Sequence, residues 1–258
     1  GSSMEIVERQ VAAPKGETGA PECFLVHGAW RNASVWQPLA QELAVAGRPS
    51  TAISLPGRGT STMHKGEIGH YTVQDGMRLV AAELGRLKEA PVLVAHDVSC
   101  ALALRVAAER PLAALILISP PPTGGLKGLF TRLAMRQPLW AAREFTSGFE
   151  RPWRSKRALA AKIFNGEATA ECPEFEPESK SVMGEFFFSF PATLEALEVP
   201  SLVLTGSASP FKPKSAQRFA DKLGAELKIV EGGALDLLRG PLHKQTAEAI
   251  EEFLARRL

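Results

Sequence analysis

Along most of this chain, short unbroken runs of apolar residues alternate with stretches whose apolar side chains recur every three to four positions. A strand buried on both faces reads as an unbroken run, because successive side chains point to opposite packed layers. An amphipathic helix instead reads with a period near 3.6. The runs at 23–26, 51–55, 91–95, 112–118, 199–205 and 227–230 are predicted strands; 35–46, 72–87, 99–110, 214–223 and 241–258 are predicted helices. Parallel strands need such helical crossovers, so the pattern predicts an α/β fold with a doubly wound, mostly parallel sheet.

The alternation breaks once. From 120 to about 198 no strong strand is seen, and clusters of Trp, Phe and Arg take over. The predicted organisation is a core formed by 4–119 and 199–258, with a helical cap inserted at 120–198. Gly1-Ser2-Ser3-Met4 reads as a tag remnant and is left out of the fold reasoning.

Composition narrows the partners. Lys and Arg total 30 against 28 Asp and Glu, and the basic residues are scattered, so no nucleic-acid footprint is expected. No apolar run approaches the roughly 18 residues of a membrane span, so no membrane partner is expected. Cys23, Cys100 and Cys172 are an odd set at no metal-ligand spacing, which fits free thiols in a reducing cytoplasm. No phosphate-cradling loop, dinucleotide fingerprint or zinc cluster occurs, so neither a cofactor nor a metal is expected. A monomer or a homodimer is consistent with all of this.

Five segments carry more specific information. Ala95-His96-Asp97-Val98-Ser99 lies between a predicted strand and a predicted helix, and His27-Gly28-Ala29-Trp30 follows the first strand. Leu55-Pro56-Gly57-Arg58-Gly59-Thr60-Ser61 follows the second, Val203-Leu204-Thr205-Gly206 ends a later one, and Val230-Glu231-Gly232-Gly233-Ala234-Leu235 leads away from the last. In this order they resemble the α/β-hydrolase family over nearly the whole chain; Asp75 matches a further family position. The resemblance implies a strained nucleophile elbow at residue 97 and an oxyanion hole made by the backbone N–H groups of Ala29 and Val98. It also implies a catalytic acid shortly after Gly206 and a catalytic His near 235. This chain departs at all three triad positions: Asp97 replaces the nucleophilic Ser, Ser209 falls at the acid position, and Leu235 falls at the His position. Ser99 and Cys100 stand where small residues let helix and strand approach.

Triad hydrolysis needs a base to deprotonate the nucleophile, and Leu235 supplies none. An Asp at the elbow also occurs in haloalkane dehalogenases and epoxide hydrolases, where it attacks carbon, but those enzymes still need a His to activate water. Here Val98 replaces the halide-binding Trp, and the single tyrosine, Tyr71, lies outside the cap. The remaining role for Asp97 is general acid or base in cofactor-free cyclisation, elimination or isomerisation. Burial would raise its pKa while the N–H donors and the following helix N-terminus favour the anion, so sequence leaves the sign open. Two alternatives stay open: a hydrolase using Asp97 as nucleophile or a displaced base such as His243, and a ligand-binding protein in which Asp97 only caps the helix beginning near Ser99.

His27, Trp30, Ser209, Leu235 and the cap residues Leu133, Trp140, Phe145, Phe149 and Phe187 are the expected substrate-binding residues. Leu129 and Trp153, with Phe186, Phe188 and Phe190, belong to the same apolar set. Cap helices would turn these side chains toward the cavity and leave Arg132, Arg136, Arg143, Arg151 and Arg154 in water. An aromatic lid suits a bulky hydrophobic substrate, such as a polyketide-like secondary metabolite. His27 has a second, structural role available in its loop, and Ser209 one in a turn with Pro210. His96 is expected to point away from the cavity, and His64 and His70 to sit on a solvated loop. The Pro-broken stretch 167–178, with Glu171, Glu174, Glu176 and Glu178, reads as an exposed acidic loop.

Overall fold

The computed structural model describes residues 5–63, 66–191 and 194–258; His64 lies outside them. The first half of the chain runs β1 (Arg9–Ala12), β2 (Cys23–Val26), α1 (Gln37–Val45), β3 (Ser50–Ile53), α2 (Val73–Leu84), β4 (Val92–His96), α3 (Ser99–Glu109) and β5 (Ala114–Ile118). An insertion follows with α4 (Lys127–Arg136), α5 (Pro138–Thr146), α6 (Arg157–Asn165) and α7 (Lys180–Glu185), and no strand among its described residues. The chain then returns through β6 (Ser201–Gly206), α8 (Pro213–Leu223), β7 (Glu226–Val230) and α9 (His243–Arg257).

One sheet contains all these strands, in the order β1-β3-β2-β4-β5-β6-β7. Every neighbouring pair is parallel except β1 with β3, where Arg9 faces Ile53 in antiparallel register. The predicted α/β sheet is therefore present, with an edge strand that the sequence reading does not contain. Alternation along each buried strand sends Phe24, Leu93, Leu115 and Val203 to the layer of α2, α3 and α8. Leu25, Val94, Ile116 and Leu202 face the layer of α1 and α9. The buried side chains of the insertion join the first of these layers.

Local signals explain the helix ends that matter for the site. Thr72 and Asp75 close a reciprocal capping box that starts α2, satisfying N–H groups that the first turn leaves open. Pro213 opens α8, and Gly224 closes it with φ 71°. The carboxyl ends of β2, β4, β5 and β6 consequently point to one edge of the sheet, under the insertion. That is where open α/β sheets place their ligands.

Candidate active site

Asp97 occupies the tight turn between β4 and α3 with φ 57°. This left-handed region is costly for most L-residues but is among those Asp tolerates. Its backbone is held on both sides: the N–H donates to the Ile118 carbonyl at 2.9 Å, and the carbonyl accepts from Cys100 N–H at 3.0 Å. Gly28 explains how the neighbouring loop comes so close. A Cβ there would lie 2.7 Å from the Asp97 Cβ. With glycine in place, Ala29 N–H reaches Asp97 Oδ2 at 3.2 Å, and Val98 N–H also donates to this carboxylate. The two donors that the resemblance assigns to a substrate oxyanion are thus directed at the carboxylate itself.

Burial pushes the Asp97 carboxyl above the usual carboxylate range; His96, the two N–H donors and Arg31 pull against it without reversing the shift. His27 is held neutral, its pKa pushed down to about 3, by burial and then by Arg58. Its Nε2 accepts from Leu55 N–H at 2.9 Å, so Nδ1 carries the proton and donates to the Gly28 carbonyl at 2.9 Å. His27 therefore fastens its loop and does not line the chamber. Ser99 Oγ adds a bond to the His27 carbonyl at 2.5 Å. The buried Cys100 thiol, raised well above its ordinary pKa by burial, contacts the carbonyls of Ala95 and Ile118.

The imidazoles of His96 and His243 are committed elsewhere. His96 Nε2 lies 2.9 Å from the Leu235 carbonyl, to which it must donate, and Ser119 Oγ donates to the same oxygen at 2.9 Å. Burial lowers the His96 pKa, and Asp97 opposes that shift. His243 begins α9, where it bonds the Gly240 carbonyl at 2.9 Å and faces Glu42 at 3.7 Å. His70 is exposed. Among the described residues no imidazole is hydrogen-bonded to Asp97.

Leu235 reaches the site because its turn packs onto the end of β6. A Cβ at Gly206 would fall 2.0 Å from the Gly233 carbonyl oxygen, so only glycine admits this approach. Leu235 then closes a chamber with Ala29, Trp30, Asp97 and Val98 on the core side. The insertion contributes Leu126, Leu129, Phe130, Trp153, Ile163, Phe164 and Met183, and Phe211 completes the wall. Among the described residues Asp97 is the one charged side chain of this lining. The chamber measures about 10 Å³, room for roughly one water molecule.

Several expected binding residues lie elsewhere. Leu133 and Trp140 are buried within the insertion, where Trp140 Nε1 donates to the Pro152 carbonyl at 2.8 Å. Phe145 is 67% exposed. It lines an outer groove with Phe149 and Phe187, away from Asp97. Ser209 Oγ accepts from Phe211 N–H at 3.1 Å, the turn role, and leaves Phe211 to face the chamber. The period of 126, 129, 130 and 133 marks a buried stripe. Which part of that stripe faces Asp97 depends on how α4 is rotated, and periodicity does not carry that information.

The acidic loop also differs from its reading. Glu171 and Glu174 are exposed, but Glu178 is buried and bonds Arg58, itself fully buried over the Tyr71 ring at 4.2 Å. Burial raises the Glu178 carboxyl, and Arg58 opposes that shift. Glu176 accepts from Asn32 Nδ2 at 2.7 Å and from Gly59 N–H at 2.9 Å. A second buried pair, Arg31 with Asp236 at 3.0 Å, anchors the residue after Leu235. No three His, Cys, Asp or Glu side chains converge as metal ligands among the described residues. No described helix is long and apolar enough to cross a membrane.

A parallel sheet with a left-handed turn after β4 and a backbone-donor loop after β2 defines an α/β hydrolase. The model of the alpha/beta hydrolase family matches residues 23–239, and the chain belongs to that family. Its structure is similar to that of VinJ, with a TM-score of 0.72 and 18% identity over 100% of this chain and 97% of that one. It is also similar to a monoacylglycerol lipase from Paleococcus ferrophilus (TM-score 0.70, 20% identity, 98% of this chain and 100% of that one). MenH from S. aureus aligns with a TM-score of 0.70 and 16% identity over 96% of this chain and 98% of that one. No curated protein sequence matches the chain. Identities this low carry the fold alone.

Proposed function

We propose that this chain is a non-hydrolytic member of its family, in which Asp97 moves a proton on a bulky hydrophobic metabolite without a cofactor. Leu235 and Ser209 then stand where a triad would have its base and acid, and the insertion 120–198 serves as the cap. One observation carries this reading: the buried Asp97 carboxylate is held by Ala29 and Val98 N–H groups, with no imidazole bonded to it among the described residues. A serine hydrolase cannot run without a base, whereas a lone buried carboxylate with a raised pKa suits proton transfer near neutral pH.

The geometry suggests how the donors are used. While Asp97 is ionised, the N–H groups stabilise its charge. When it takes a proton from the substrate, that charge moves to the substrate as an enolate or alkoxide, and the same donors become available to it. The proton returns to the product, or departs with an expelled group, so cyclisation, isomerisation and elimination are all served. A second reading, a ligand-binding protein with an inert Asp97, is favoured by the carboxylate filling its own oxyanion hole.

Deuterium incorporation alpha to the carbonyl of bulky aryl alkyl ketones, followed by mass spectrometry in heavy water, tests the proposal. Asp97→Asn keeps the shape and removes the titrating group, so exchange should fall by about 10²–10⁴ with little change in ligand affinity. Equal exchange in both proteins overturns the proposal, and binding without exchange in either supports the ligand-binding reading. Hydrolysis of p-nitrophenyl esters should stay at background; ester turnover lost in Asp97→Ala would restore the hydrolase with Asp97 as nucleophile.

A further inference from the structure

The chamber at Asp97 holds about one water, yet a groove of about 420 Å³ opens on the outer face of the insertion. Its floor is made of small residues from α4 and α5, among them Ala134, Ala141 and Ala142, and its walls are Phe145, Phe149 and Phe187. Phe130 belongs to both spaces. Its ring lies 4.3 Å from Phe149 and 6.3 Å from Phe187, so this one side chain faces both the outer groove and the inner chamber. Phe149 is itself held in a left-handed conformation, φ 54°, and its carbonyl accepts from Trp30 Nε1 at 3.0 Å. Trp30 lines the chamber, so the groove wall and the chamber wall are mechanically joined.

The charge of the helices that carry this groove is one-sided. Residues 127–162 carry nine Lys and Arg against two Glu, in a chain whose total excess is two. Glu144 is buried, whereas Lys127, Arg132, Arg136, Arg143, Arg151 and Arg154 are exposed. Lys127 Nζ lies 5.5 Å from the Phe188 ring, next to Phe187. Lys127 also donates its backbone N–H to the Phe187 carbonyl at 2.8 Å, so an exposed cation adjoins the Phe187 wall. An apolar trough with a cation at one wall complements a molecule with an apolar body and an anionic head.

We propose that the groove between α4 and α5 binds the apolar part of an anionic amphiphile, an alkyl or aryl carboxylate, and delivers it past Phe130 to the chamber at Asp97. The delivery step rests on the functional reading above; occupancy of the groove does not. Displacement of the shared Phe130 ring is the step that would join the two spaces and widen the chamber, and the Ala floor allows a chain to lie close to the helix backbones.

Dansylaminoundecanoic acid is a suitable probe, read by the rise and blue shift of its fluorescence. It should bind the full chain saturably at one site, and its methyl ester should bind several-fold more weakly through loss of the anionic head. Ala142→Trp, at an exposed position on the floor, should weaken binding at least about tenfold, a change of about 1.4 kcal/mol. Thr131→Trp, exposed on the other helix, should do the same, and thermal melts check that both variants fold. Unchanged affinity in both tryptophan variants overturns the proposal. So does binding of the wild type only to phosphatidylglycerol vesicles, which would make this face a membrane surface. Asp97→Asn should bind the probe as the wild type does. Catalysis lost in Asp97→Asn with no probe in the groove would sink the groove alone; a filled groove with exchange intact in Asp97→Asn would sink the proton-transfer reading alone.

Discussion

The elbow and the insertion meet at one chamber, but different forces hold them. Around Asp97 the geometry is set by backbone: its N–H and carbonyl are both bonded, Gly28 lies against its Cβ, and the donors to its carboxylate are main-chain N–H groups. The insertion is attached by side chains, such as Glu178 on Arg58, Glu176 on Asn32, and Ser179 Oγ on the Tyr71 carbonyl at 2.6 Å. Isolated backbone bonds add to them, Glu176 N–H to the Trp30 carbonyl and Asp236 N–H to the Phe164 carbonyl, both at 2.8 Å. Backbone contacts of a central sheet open only when the sheet opens, whereas side-chain contacts release one by one at lower cost. Under the proposed function, the contrast gives chemistry to the rigid frame and admission of the substrate to the insertion.

The largest effect expected from breaking this contrast lies at the seam. Glu178→Ala would leave Arg58 fully buried without its counter-ion, and two of its nitrogens, Nε and Nη2, already have no hydrogen-bond partner among the described residues. Removing one member of a buried pair costs about 3–5 kcal/mol, because the survivor keeps its desolvation penalty. Urea unfolding followed by circular dichroism measures this. The double variant Arg58→Met/Glu178→Leu should recover much of the loss, since a well-packed apolar pair replaces the ions at little net cost. A loss below about 1 kcal/mol, the range of exposed pairs, would mean that the insertion does not depend on this contact.

A smaller effect, with a definite sign, belongs to the elbow. The Asp97 carboxyl is raised from its ordinary 3.8 by burial, so the folded protein binds this proton more tightly than the unfolded chain does. Its contribution to stability is fully present below 3.8 and is lost as pH rises through the raised folded value. Asn at this position never ionises. Asp97→Asn should therefore match the wild type in acid and become more stable than it as pH approaches neutrality, a difference read from Tm against pH. An Asp97→Asn variant less stable at neutral pH would mean that the N–H donors dominate over burial.

The same division explains what could be read from the sequence. The runs ending at Val26, His96, Ile118 and Gly206 are buried on both faces, so local composition alone marks them as strands. The edge strand at Arg9–Ala12 is short and alternates between exposed and half-buried positions, leaving no comparable run. Asp97, Ala29, Val98 and Leu235 were locatable because each follows a strand end, where sequence position nearly determines spatial position. The insertion offers no such anchor. Glu178 is buried because Arg58, 120 residues away, receives it, and nothing near Glu178 in the chain signals that partner. Leu133, Trp140 and Phe145 share the apolar character of Phe130 and Phe164, but helix rotation sends them into the insertion or out to its surface.

Phe145 gives the smallest expected effect and the sharpest view of that surface. An aromatic buried in a packed layer costs about 3–5 kcal/mol when truncated, since it leaves a cavity as well as losing its transfer energy. At 67% exposure, Phe145 contacts Phe149 and Phe187 at ring distances of 6.2 and 6.4 Å and encloses no core volume. Phe145→Ser should thus change unfolding stability by no more than about 0.5 kcal/mol, the usual range for surface positions. Chemical denaturation of wild type and variant, compared at one pH, measures the difference. A loss above about 2 kcal/mol would place this ring in the packed interior and make the outer groove part of the core. A stability unchanged by Phe145→Ser would mean that the exposed aromatic contributes nothing that folding requires, so the same variant can be used to probe the outer groove without disturbing the fold.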